Sequence, residues 1–197
     1  MRKVGVLISG SGSNLQALLD ASKTSLGEAA AYEIVAVISN NVDAFGLERA
    51  RAAGVDALAI DHRVFGKNRE AFERTINAAL KARGVEIVAL AGFMRVLTPF
   101  FVGAWSGRMI NIHPSLLPKY PGLHTHARAI EAGDVEAGCT VHLVTEGVDE
   151  GPVLGQARVP ILAGDTADDL AARILVEEHK LYPDCLSAFA KSLAGER

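Results

Sequence analysis

Three polar residues stand out for the chemistry their positions would allow: Asn111, His113 and Asp149. Asn111-Ile112-His113-Pro114 closes a short apolar run, Met109–Ile112, that reads as a β-strand. Alternation along a strand puts Asn111 and His113 on one side, about 7 Å apart along the chain. Two such groups can converge on one carbonyl carbon. A neutral amide donates to a developing oxyanion, and an imidazole gives or takes the proton that moves. Asp149 sits in the turn-like stretch Glu146–Pro152. A carboxylate placed beside an imidazole favours the charged ring, which could then stabilise negative charge or act as an acid. The residues alone leave ordinary turn chemistry for Asp149 and a hydrogen-bonded loop histidine at 113 open beside this reading.

A second candidate is Gly10-Ser11-Gly12-Ser13-Asn14, between a strand-like and a helix-like stretch. Glycines let backbone approach an anion, and the free N–H groups of a helix start point at it. The dinucleotide pattern is incomplete, because Leu15 stands where a third glycine belongs and Ser39-Asn40-Asn41 offers no acid for a ribose. No GK[ST] follows either, so a single phosphate held by Gly12, Ser13 and Asn14 is the expectation. A glycine-rich turn capped by Ser or Asn is the plainer alternative. Phe93, Met94, Val96 and Leu97 follow another strand-like run and read as core or as the wall of an apolar cofactor slot. Arg95 among them is hard to bury unpaired and could meet a carboxylate or the polar edge of a heterocycle. His124 and His126 resemble a metal pair, but no nearby carboxylate or cysteine completes a set, so no metal is expected. His142 alternates with Val141 and Leu143 as an ordinary strand position. Glu178 precedes His179 on a helical stretch, where it could reach a ligand amine.

The elements that must position these groups follow from apolar periodicity. Val4–Ser9, Ile34–Ser39, Ala57–Ile60, Ile87–Ala91 and Met109–Ile112 are short apolar runs, as in strands buried on both faces. Helical spacing runs over Asn14–Ala21, Gly46–Ala53 and Glu70–Arg83. Strands alternating with helices imply parallel pairing with right-handed crossovers. After His113, prolines 114, 118 and 121 punctuate a long loop. A helix is expected over Thr125–Ala132, and Cys139–Val144 with Val153–Val159 as an antiparallel pair on one sheet edge. A last helix should be capped near Asp165–Thr166, run to about Phe189 and bend at Pro183. The expected fold is α/β: a Rossmann-like, mostly parallel twisted sheet with helices on both faces and an antiparallel edge. One domain is expected over 1–197, with a phosphate-binding half to about 112 and a catalytic-loop and edge-strand half after it.

The 197 residues are 49% hydrophobic and 22% charged, so a substantial core can form without staples. A net charge of −3 leaves no basic footprint for nucleic acid or an anionic membrane. Cys139 and Cys185 form no CxxC pair. The first apolar run is too short for a signal segment or a membrane span, so a soluble cytoplasmic protein is the default.

The segments Ile8–Ala17, Leu90–Leu97, Asn111–Pro118, Lys119–His126 and Val148–Val153 together resemble the phosphoribosylglycinamide formyltransferase family of folate enzymes. The resemblance runs from about Val4 to Phe189. It implies a formyl donor, 10-formyltetrahydrofolate, and an acceptor, glycinamide ribonucleotide, with transfer through a tetrahedral intermediate. It implies Asn111, His113 and Asp149 as the catalytic trio and Gly12, Ser13 and Asn14 on the acceptor phosphate, with Glu178 near the acceptor. Met94, Arg95, Val96 and Leu97 would line the folate site, Asn111 would also touch it, and Arg69 would add a donor contact. No metal is implied, and a homodimer is left open. The rivals are a formyltetrahydrofolate hydrolase, a methionyl-tRNA formyltransferase and a non-catalytic phosphosugar-binding module. The hydrolase would add an N-terminal regulatory domain, the tRNA enzyme a basic C-terminal domain. The binding module would not need the trio.

Overall fold

The computed structural model describes residues 1–23 and 31–195. Strands β1 (Arg2–Ile8), β2 (Tyr32–Ser39), β3 (Asp56–Ala59), β4 (Ile87–Leu90), β5 (Met109–His113), β6 (Glu136–Leu143) and β7 (Val153–Pro160) form one sheet in the order β3-β2-β1-β4-β5-β6-β7. The β1–β2, β2–β3, β1–β4 and β4–β5 pairs are parallel. The β5–β6 and β6–β7 pairs are antiparallel. The expected mostly parallel sheet with an antiparallel edge is therefore what forms.

Among the described residues, six α-helices cover the sheet: α1 (Ser13–Lys23), α2 (Gly46–Ala52), α3 (Arg69–Ala82), α4 (Pro99–Ala104), α5 (Thr125–Glu131) and α6 (Ala167–Ala194). Alternation on β1 divides its side chains between two cores. Val4, Val6 and Ile8 pack with Leu15 and Leu18 of α1 and with Leu170, Ile174 and Tyr182 of α6. Leu7 faces the other way, into Phe72, Ile76 and Leu80 of α3 and Phe101 and Trp105 of the α4 region. Each fully buried aliphatic side chain here contributes about 1.5–3 kcal/mol. No helix among the described residues is long and apolar enough to cross a membrane.

Two elements have no counterpart in the sequence expectation: α4 and a 3-10 turn at His62–Phe65. Both are too short to show a helical period. The last helix extends past the expected Phe189 to Ala194 and continues through Pro183. Its start is set by a capping box, in which Thr166 Oγ1 accepts from Asp169 N–H and the Asp169 carboxylate accepts from Thr166 N–H.

The strand order fixes where a ligand can enter. The chain winds outward from β1 through β2 to β3, then returns to the other side of β1 as β4. The loops after β1 and β4 diverge at this switch point and leave a crevice at the carboxyl ends of the strands. The Gly10–Asn14 loop, the Ala91–Thr98 segment and the end of β5 all lie at this end of the sheet.

Candidate functional site

The glycine loop is pressed against the start of α2. Gly12 has φ 72, and a Cβ there would lie 2.7 Å from Gly46 Cα. Only glycine combines that backbone with that approach. Gly46 N–H donates to Gly10 O at 3.0 Å, and Arg49 Nε donates to Ser11 O at 2.9 Å. The loop is thus held from below while α1 begins at Ser13, with its first N–H groups free of helical partners. Asn14 Nδ2 donates to Glu178 Oε2 at 2.7 Å. Burial pushes the Glu178 carboxyl above the usual range, with the Asn14 hydrogen bond opposing that only in part. One helical turn further along α6, Tyr182 Oη donates to Leu90 O at 2.9 Å and meets Ile110 O at 3.4 Å. Helix α6 therefore joins the glycine loop to β4 and β5.

The candidate catalytic groups gather beside β5. The β5–β6 register sets Asn111 opposite His142 and His113 opposite Thr140. Asn111 Nδ2 lies 3.2 Å from His142 Nε2. His113, only 6% exposed, has Nε2 at 3.0 Å from Tyr120 O, so that nitrogen carries a proton and donates. Its Nδ1 faces Asp149 Oδ2 at 3.4 Å, and a second Asp149 oxygen lies 3.6 Å from His142 Nε2. An acceptor thus stands before each ring nitrogen of His113. Burial pushes the Asp149 carboxyl up. The Gly122 N–H at 2.9 Å and the neighbouring His113 ring outweigh it, so Asp149 stays below the ordinary carboxylate range.

The segment after β4 is fastened at both ends. Met94 N–H donates to Ser9 Oγ at 2.8 Å. Thr98 N–H donates to Glu73 Oε1 at 2.9 Å, and Thr98 Oγ1 donates to Oε2 of the same buried carboxylate. Between these anchors Met94 is 71% exposed and Val96 63%. A core role is thereby overturned for those two, because the backbone turns them outward. Phe93 and Leu97 pack on the second core, and Arg95 is half-buried. A cavity of about 220 Å³ beside the Pro114–Tyr120 loop, lined in part by His126, Ala129 and Ile174, contains none of the trio. The open crevice, where Asn111, His113 and Asp149 gather, is the better candidate.

Residues 2–186 match the family model described as formyl transferase. The chain belongs to the formyl transferase family. It is 52% identical over 185 residues to phosphoribosylglycinamide formyltransferase of Escherichia coli (strain K12), covering 94% of this chain and 85% of that protein. It is 50% identical to part of the trifunctional purine biosynthetic protein adenosine-3 of Drosophila melanogaster, covering 98% of this chain but 14% of that protein. Its fold superposes with a TM-score of 0.93 on glycinamide ribonucleotide transformylase 1 of Symbiobacterium toebii, at 50% identity over 98% of this chain and 89% of that one.

In this formyl transferase chain the structure brings Asn111, His113 and Asp149 into one cluster and joins Asn14 to Glu178. Arg69 lies exposed at the first turn of α3 and has no hydrogen bond or ion pair to those residues. His124 begins α5 with left-handed backbone, and no group of three or more metal-ligating side chains occurs among the described residues. Three members of the site were not singled out from sequence: His142, Ser9 and Glu73. His142 was visible only as a strand histidine, and only the β5–β6 register sets it against Asn111. Ser9 and Glu73 act through hydrogen bonds to residues 85 and 25 positions away.

Proposed function

We propose that this protein transfers the formyl group of 10-formyltetrahydrofolate to the amine of N1-(5-phospho-D-ribosyl)glycinamide, the third step of purine biosynthesis. The observation that carries this is the Asn111–His113–Asp149 cluster, in a chain half-identical to formyltransferases named for that acceptor. The acceptor phosphate sits on Gly12, Ser13 and Asn14, and Glu178 meets its amine-bearing end. The folate lies along Met94, Arg95, Val96 and Leu97, with Arg69 a more distant contact.

The acceptor amine attacks the formyl carbon, and the carbonyl electron pair moves onto oxygen. Asn111 Nδ2–H donates to that oxygen, and cationic His113 stabilises it by charge. Asp149 keeps the ring charged. The His113 Nε2 proton is committed to Tyr120 O. The Nδ1 proton, held loosely at 3.4 Å, is the mobile one. As the tetrahedral intermediate collapses, the folate nitrogen leaves with the bonding pair and takes a proton from His113 or a water. The attacking nitrogen gives up its own proton, which restores the balance. Asn111, His113 and Asp149 would all be in contact with the reacting atoms or with each other, so no covalent enzyme intermediate is needed.

Spectroscopic detection of tetrahydrofolate release tests this. Release is expected only when glycinamide ribonucleotide is present. Release without it would make the protein a hydrolase, and no release in either case would leave a phosphosugar-binding module.

A further inference from the structure

His142 lies at the centre of the site, yet the steps above give it no task. It is 2% exposed and sits where the β6–β7 ladder slips by a residue, pairing with Val153 while its neighbour Val141 pairs with Gly155. Such bulges re-aim a side chain. Here the ring is aimed at Asn111, its cross-strand partner on β5.

The hydrogen bonds fix its tautomer. Nδ1 lies 2.9 Å from Leu143 O, and a carbonyl can only accept, so the ring proton is on Nδ1. In the neutral ring Nε2 then presents a lone pair, 3.2 Å from Asn111 Nδ2. An asparagine amide has two ends of nearly equal shape but opposite polarity. Turned over, Asn111 would set Oδ1 against that lone pair and leave its own N–H groups elsewhere. The imidazole therefore selects one orientation of the amide. Asp149 Oδ1, at 3.6 Å from Nε2, is beyond hydrogen-bond distance and so accepts no proton from that nitrogen.

We propose that His142 is a positioning residue: by accepting at Nε2 it fixes the Asn111 amide so that the second Nδ2–H is presented to the formyl oxygen. This deepens, and rests on, the formyl-transfer reading. Because that donor acts chiefly on the oxyanion of the intermediate, its misplacement lowers kcat more than it raises KM.

A double-mutant cycle on the full chain tests the coupling. Asn111→Ala should lower kcat by about 100-fold or more in the parent, as for loss of an oxyanion donor. His142→Ala alone should lower kcat about tenfold or more, with both KM values within about threefold. In the His142→Ala background, Asn111→Ala should then cost only about tenfold, leaving the double variant no slower than Asn111→Ala alone. His142→Gln, which keeps an acceptor, should recover part of the loss. Nitrogen-15 imidazole spectra of the unsubstituted protein should show His142 protonated at Nδ1 and bare at Nε2. An equal cost of Asn111→Ala in both backgrounds would overturn the proposal. So would non-additivity with Asp149→Asn in place of Asn111, or an Nε2–H tautomer. If the unsubstituted protein releases no tetrahydrofolate with the acceptor, the formyl-transfer reading fails instead, and the spectrum still tests the contact.

Discussion

Tyr120, His124 and Asp149 hold left-handed backbone at φ 55, 58 and 56, and all three lie in loops around His113. For residues with a Cβ that conformation costs about 1–2 kcal/mol each. It is retained where it aims a group: Tyr120 O takes the Nε2 proton of His113, and Asp149 turns its carboxylate toward both rings. Asparagine tolerates this backbone at least as well as aspartate. Asp149→Asn should therefore still fold, with a small fall in melting temperature from the lost carboxylate, while turnover falls by about 100-fold, a split that calorimetry and the release assay together would reveal. Glu178 gives the opposite balance. An acid whose folded pKa is raised has its cost absent below the unfolded value of 4.5 and fully present once pH exceeds the raised one. Glu178→Gln should thus raise the melting temperature at pH 7 while increasing KM for the acceptor. Asn111, His113 and Asp149 were legible from residue type and position at a strand end or turn. The place of His142 was not, because a cross-strand register carries no local mark in a sequence.

At the scale of elements, the loop after β4 keeps its shape through two remote side chains. Ser9 fixes its start and Glu73, from α3, fixes its end at Thr98. Removing a buried acceptor leaves Thr98 N–H unpaired, a cost of about 1–3 kcal/mol. Glu73→Ala should lower stability by that order in denaturant titration and raise KM for the formyl folate several-fold, with kcat changed much less. Glu73→Gln, which still accepts one hydrogen bond, should fall between. An unchanged folate KM in Glu73→Ala would separate this loop from donor binding. The long strands and helices were readable from their periods, since β1, β2, α1 and α3 each repeat an apolar face several times. Helix α4 was not. It has six residues, and its start depends on Pro99 and on a carboxylate contributed by another helix.

For the molecule as a whole, the switch between β1 and β4 decides that the glycine loop, the segment after β4 and the end of β5 share one crevice. Their place at the carboxyl ends of a mostly parallel sheet followed from alternating strand and helix patterns, whereas the strand order and the reversal of β6 against β5 emerged only with the fold. The long helix α6 ties the two halves together from a well-anchored start. Arg173 beside Asp165, helped by the Leu162 N–H, holds that carboxyl down at about 2 from an ordinary 3.8. The resulting stabilisation is fully present above about 3.8 and is lost as pH falls toward 2. Asp165→Asn should flatten the stability–pH curve in that window and leave its shape above pH 5 unchanged, as acid titration followed by circular dichroism would show. Further along the same helix, Glu178 and Tyr182 stand one turn apart, one facing the glycine loop and the other β4 and β5. A single residue inserted between them would rotate one relative to the other by about 100°. This stretch of helix can therefore exchange many of its letters over evolutionary time, but it has no freedom to change its count.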